Sequence, residues 1–159
     1  MNSAELVDKA INNIRKGKGL LDHGNDGRIY GVTEDAVLKL HTGSHRGSPQ
    51  KSAQYEFELG RELHHQGVQI PQYIGLFGPV SLLRQEWVGV FMERIHGREP
   101  AALPSPVLTE ALRQYKQQKE LIDKLGYIVK DSRNMYQNTL FDPKRRKLFL
   151  YDLVRWERK

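Results

Sequence analysis

A lysine, a glutamate, an asparagine and an aspartate follow one another along this chain in an order suited to handling a phosphorylated ligand. Lys39 lies in Val37-Leu38-Lys39-Leu40, an apolar stretch of strand character. Fifteen residues before it begins the glycine-punctuated run Gly24-Asn25-Asp26-Gly27-Arg28-Ile29-Tyr30-Gly31-Val32, and seventeen residues after it is Glu56. Towards the C-terminus Asn138 precedes Asp152 by fourteen residues, and Asp152 closes a second apolar stretch. A glycine turn lets backbone N–H groups approach phosphate oxygens, and a lysine neutralises them. A carboxylate holds the lysine in place, and an Asn/Asp pair offers oxygen donors to magnesium. Singly, each signal has an ordinary explanation as a turn, a surface lysine, a capping Asp or a loop Asn. Their order and spacing carry the reading.

The elements that must position these residues are legible from periodicity. Ala4, Val7, Ala10, Ile11 and Ile14 predict a helix over 3–16, with Ser3 as cap and Gly17 as terminator. Three short strands follow, over 19–23, 27–33 and 36–41, and a polar loop over 42–52. The next helix, over 53–66, places Glu56 on the face of Leu59 and Leu63, whereas Glu58 and Glu62 point away. Glu56 alone of the three faces inward, which selects it as the partner of Lys39. Strands are expected over 72–76 and 87–93, then a proline-rich crossing over 97–107. A long helix opens with Ser105 as cap and Pro106 as first residue. Leu108, Leu112, Tyr115, Ile122 and Leu125 give it one apolar face. Short strands over 127–129, 139–141 and 148–151 complete the chain around a polar loop at 130–138.

The bulk numbers bound the answer. The chain has 159 residues, 38% hydrophobic and 28% charged, enough for one domain or two small lobes. Cysteine is absent, which excludes disulfide and thiol chemistry. The six histidines show no ligand spacing with carboxylates, so a zinc site is not expected. No apolar run reaches the ~20 residues of a membrane span, and the start of the chain lacks the pattern of a signal peptide. A cytoplasmic protein without membrane contact is the expectation. The net charge of +6 favours phosphates, nucleic acid or an acidic partner. The densest basic cluster, Lys144-Arg145-Arg146-Lys147, falls between two apolar runs and reads as a hairpin tip.

The glycine run, Val37-Leu38-Lys39-Leu40, Glu56 to Pro71, Phe91-Met92-Glu93-Arg94-Ile95-His96-Gly97, and Asn138 through Asp152 together resemble the protein-kinase-like superfamily, above all its RIO-type and other small atypical members. The resemblance implies an α+β, two-lobe fold. Residues 1–97 would form a lobe of small antiparallel sheet plus helix, and residues 98–159 a truncated helical lobe, with ATP between them. It implies that Gly24, Asn25, Asp26 and Gly27 cover the phosphates, and that Lys39, held by Glu56, neutralises them. Met92, Glu93 and Arg94 would supply backbone hydrogen bonds to adenine, and Asn138 and Asp152 would coordinate magnesium. The implied cofactors are ATP and Mg.

The chain departs from the family pattern at three places. Where the family has a catalytic Asp five residues before the Asn, Arg133 stands here, and Asp131 serves as base only if the loop bulges by two residues. Leu153-Val154 follows Asp152 in place of Phe-Gly, and the sequence ends seven residues after Asp152, which implies a minimal or partner-completed second lobe. Three readings follow. The first is an ATP- and magnesium-dependent phosphotransferase acting on Ser/Thr of a protein substrate or on itself. The second is a pseudokinase, which binds nucleotide and regulates a partner without transfer. The third is a basic RNA- or ribonucleoprotein-associated module.

Overall fold

The computed structural model describes residues 2–23, 27–43, 45–129 and 136–159. Over the described residues the chain is a mixed α+β protein with a five-stranded antiparallel sheet and three α-helices, and it divides into two compact units. The first comprises Met1–Leu59 with Gln72–Arg94, the second Gly60–Pro71 with Ile95–Lys159.

In the first unit, helix α1 (Ser3–Arg15) precedes strands β1 (Leu20–His23), β2 (Gly27–Gly31) and β3 (Ala36–His41). Helix α2 (Pro49–His65) begins here and is followed by β4 (Tyr73–Leu82) and β5 (Gln85–Glu93). The sheet order is β1-β2-β3-β5-β4, with all neighbours antiparallel. The cap of α1 is Asn2, one residue before the expected Ser3. Its side chain accepts from Glu5 N at 2.9 Å and Glu5 answers by accepting from Asn2 N, a reciprocal box that satisfies two orphan donors. Leu6, Ala10 and Ile14 are the buried positions of α1, so Leu6 rather than Ala4 leads its apolar stripe.

Alternation along β3 sends its side chains to two faces, and all six residues are buried. Leu38 and Leu40 join Leu6, Ala10 and Ile14 in a core with Tyr30, Phe77 and Phe91. The opposite face carries Val37, Lys39 and His41. The structure lengthens α2 beyond the expected 53–66. It opens at Pro49, just after Ser48, whose Oγ accepts from Lys51 N at 3.1 Å. Strands β4 and β5 also run further than expected and meet in a two-residue turn, Leu83-Arg84, both with positive φ.

In the second unit, α3 (Ser105–Lys124) is flanked by small sheets: β6 (Tyr127–Ile128) with β9 (Glu157–Arg158), and β7 (Thr139–Asp142) with β8 (Lys147–Leu150). Pro104 holds the cap position of α3 and Ser105 is the first helical residue, a correction of one position. The buried face of α3 is Ala111, Gln114, Tyr115, Gln118 and Ile122, while Leu112 is exposed. The two glutamines are inside because they bind backbone. Gln114 donates to Arg146 O at 2.9 Å and accepts from Leu148 N at 2.9 Å; Gln118 accepts from Gln69 N at 2.8 Å. Each satisfies polar groups that burial would otherwise leave unpaired. The basic cluster sits at the turn of the β7–β8 hairpin, where Asp142 Oδ1 accepts from Lys144 N and Arg145 N. No described helix is long and apolar enough to cross a membrane.

Candidate functional site

Lys39 and Glu56 meet inside the first unit. The Lys39 ammonium lies 3.0 and 2.9 Å from Oε1 and Oε2 of Glu56, which is 0% exposed. The helical spacing of Glu56 with Leu59 and Leu63 brings this about, since all three are buried while Glu58 and Glu62 are exposed. Lys39 comes from the interior strand β3, between Ile29 on β2 and Val90 on β5.

Two further side chains complete the cluster. The Tyr73 hydroxyl donates to Glu56 Oε1 at 2.9 Å, and His41 Nε2 lies 2.9 Å from Glu56 Oε2. That second contact falls outside hydrogen-bond geometry despite its length, so His41 Nε2 is close to the carboxylate without a well-aligned bond. Burial raises the proton affinity of Glu56, but Lys39 and then His41 outweigh it, and the carboxyl is held at about 2 instead of its ordinary 4.5. Glu56 is thus an anion. His41 was legible as a neighbour: two residues past Lys39 on one strand is the same face. Tyr73 follows Pro71 closely and has the same facing as Met92, with which it pairs, but its reach to Glu56 depends on how α2 crosses the sheet.

The glycine run is described only from Gly27; Gly24, Asn25 and Asp26 lie outside the described residues. A Cβ on Gly27 would come within 2.1 Å of Leu40 O, so this position requires glycine for backbone approach whatever the turn does.

The structure places Met92, Glu93 and Arg94, the expected adenine contacts, at the end of β5 and just beyond it. Glu93 N donates to Gln72 O at 2.8 Å and Arg94 N to Asp35 O at 2.9 Å. Met92 pairs with Val37 on one side and Tyr73 on the other. The amides of Glu93 and Arg94 are therefore already bonded within the protein, to residues that flank β4 and β3.

In the second unit, Asn138 and Asp152 stand at the open end of the β7–β8 hairpin. Thr139 pairs with Leu150, and Tyr151 N donates to Asn138 O at 3.0 Å. Both residues adopt left-handed backbone, with φ of 54° at Asn138 and 67° at Asp152. Non-glycine residues in that region are uncommon, and Asn and Asp are the types that tolerate it best. Two oxygen-bearing side chains on strained backbone at one hairpin end suit a hard cation such as magnesium, which takes few protein ligands and keeps waters or phosphate oxygens. Among the described residues no group of three or more His, Asp or Glu is arranged to enclose a metal, so a full protein cage is not formed there. Asp131, the expected base, lies outside the described residues, as does Arg133.

No known protein family matches this chain, and no curated protein sequence matches it.

Proposed function

We propose that this protein is an ATP- and magnesium-dependent phosphotransferase of kinase-like, two-lobe architecture, acting on Ser/Thr of a protein or on itself. The observation that carries the reading is the buried Lys39–Glu56 pair. Burying two charges is costly, and an apolar pair of similar volume serves a core at least as well. An ammonium held by a carboxylate at the centre of a sheet is useful where a phosphate must be met by a positioned cation. In this reading Lys39 neutralises the α- and β-phosphates, Glu56 positions it, and Asn138 and Asp152 hold magnesium. ATP supplies the phosphoryl group. Transfer then depends on positioning and charge stabilisation more than on covalent help from the protein.

A second reading is favoured by one specific observation. Arg133 occupies the sequence slot in which the resemblance calls for a catalytic Asp, and this supports a pseudokinase that binds nucleotide without transfer. Phosphate transfer from γ-labelled ATP separates the two. The phosphotransferase reading expects label in the protein or an added Ser/Thr peptide mixture, loss of it in Asp152→Asn, and at least a hundredfold drop in Asp131→Asn. Magnesium-dependent ATP binding with no transfer establishes the pseudokinase instead.

A further inference from the structure

All of the chain's net charge resides in one of its two units. The first unit contains ten Lys and Arg against ten Asp and Glu, so it is formally neutral. The second contains fifteen against nine and carries the whole +6. A surplus kept for solubility alone needs no such segregation.

Within the second unit the densest basic stretch is the β7–β8 turn. From Asp142 to Lys147 four cations follow one carboxylate, and residues 143–147 are all exposed. Phe141 and Asp142 before the turn and Leu148 to Leu150 after it are buried, so the hairpin presents mainly its turn to solvent. Two anchors fix that turn. Asp142 Oδ1 accepts from Lys144 N at 2.9 Å and from Arg145 N at 3.1 Å, and Gln114 of α3 donates to Arg146 O and accepts from Leu148 N. Arg145 is braced as well, with Nε 3.3 Å from Asp142 Oδ2 and its guanidinium 5.4 Å from the Phe149 ring. A backbone already fastened on both sides loses less freedom when a partner binds.

The chemistry of the partner follows from the composition of the turn. Protein interfaces centre on apolar residues and are depleted of lysine, whereas Asp142 to Lys147 contains no large apolar side chain. Segments that lie on membranes likewise bury apolar groups at the headgroup boundary. A phosphodiester backbone asks only for closely spaced cations. We propose that the β7–β8 turn is a docking site for the phosphate backbone of a nucleic acid, which Lys144, Arg145, Arg146 and Lys147 contact without reading its bases. The inference does not depend on the phosphotransferase reading and adds a polyanionic partner to it.

The test is fluorescence anisotropy of a short labelled DNA duplex and a short labelled single-stranded RNA, titrated with the full chain between about 50 and 200 mM salt. Each phosphate neutralised on a duplex contributes about −0.9 to the slope of log affinity against log salt, so engagement of all four cations gives about −3.6. Lys144→Gln with Lys147→Gln is expected to shallow that slope by about 2. Lys9→Gln with Lys16→Gln removes the same charge from exposed positions of the first unit and is expected to leave the slope unchanged. Should the double variant of the turn not fold, Lys144→Gln alone carries the test, with a change of about 1. Binding of either nucleic acid with this pattern supports the proposal, and the tighter of the two names the source of the backbone. Equal losses from the two double variants overturn it, because net charge alone then accounts for the binding. So does failure to bind either nucleic acid at about 50 mM salt, or equal binding to polyglutamate or to vesicles of phosphatidylserine and phosphatidylcholine. None of these readouts requires MgATP, so failure of the phosphotransferase reading leaves them intact.

Discussion

Lys39 donates to both oxygens of Glu56, at 3.0 and 2.9 Å, across an interval of seventeen residues that joins the third strand of the sheet to the second helix. Tyr73 and His41 also approach the carboxylate, at 2.9 Å each, but Lys39 is the group that reaches both of its oxygens. The lysine is 6% exposed and the glutamate is sealed from solvent, so the pair must be kept together or not be there at all.

Substitution should expose that dependence. Lys39→Met leaves a buried carboxylate facing only Tyr73 and His41, and Glu56→Gln leaves a buried ammonium. Each single change is expected to lower unfolding free energy in urea by about 3–5 kcal/mol. Replacing both, as Lys39→Met with Glu56→Leu, is expected to recover most of that loss, since an apolar pair needs no compensation. If the double variant is as unstable as the sum of the singles, the pair contributes net stability and the functional argument for it weakens.

The same pair sets an acid limit. Glu56 has a folded value of about 2 against an ordinary 4.5, so its contribution is complete above about pH 4.5 and disappears as pH falls towards 2. That difference corresponds to roughly 3 kcal/mol. Comparison of unfolding free energies from pH 6 down to 2 should show a smaller decline in Glu56→Gln than in wild type. Equal declines mean that the carboxyl titrates alike in folded and unfolded chains.

Gly27 offers a probe of how closely β2 approaches β3, the strand of Lys39. A methyl group there meets Leu40 O at 2.1 Å, so backbone must move. Gly27→Ala is expected to cost roughly 1–3 kcal/mol. Gly67→Ala is the contrast: its added methyl meets nothing within 4 Å, and its penalty comes from φ of 85° alone. A Gly27→Ala protein as stable as wild type would show that β2 and β3 do not approach this closely.

Local periodicity made the Glu56 side of the site legible, because the i, i+3, i+7 spacing of Glu56, Leu59 and Leu63 is a property of one helix. Strand alternation likewise carried Lys39 and made His41 its neighbour. What failed was non-local. Gln114 and Gln118 are not among the apolar residues that define the face of their helix, yet they are buried, because their amides fix backbone of β8 and of Gln69. The Leu83-Arg84 turn has two positive φ values without Gly or Asn to signal them, which hid the length of β4 and β5. The start of α2 was masked by its polar surroundings, although Ser48-Pro49 is a helix-opening pair. Nothing in the sequence around Glu93 and Arg94 reveals that their amides bond Gln72 and Asp35.

ATP binding measured with and without magnesium, in wild type, Lys39→Met and Asp152→Asn, tests the central claim most directly. Thermal or urea stability can report it, since ligand at ~100 times its dissociation constant stabilises a folded protein by about 2.7 kcal/mol. Asn tolerates the left-handed backbone at position 152 as well as Asp does, so that variant should fold normally. The account predicts magnesium-dependent stabilisation of wild type, its loss in Lys39→Met, and in Asp152→Asn a residual effect of ATP that magnesium no longer enhances. Wild-type stability unchanged by MgATP, or equal stabilisation of all three proteins, would contradict it.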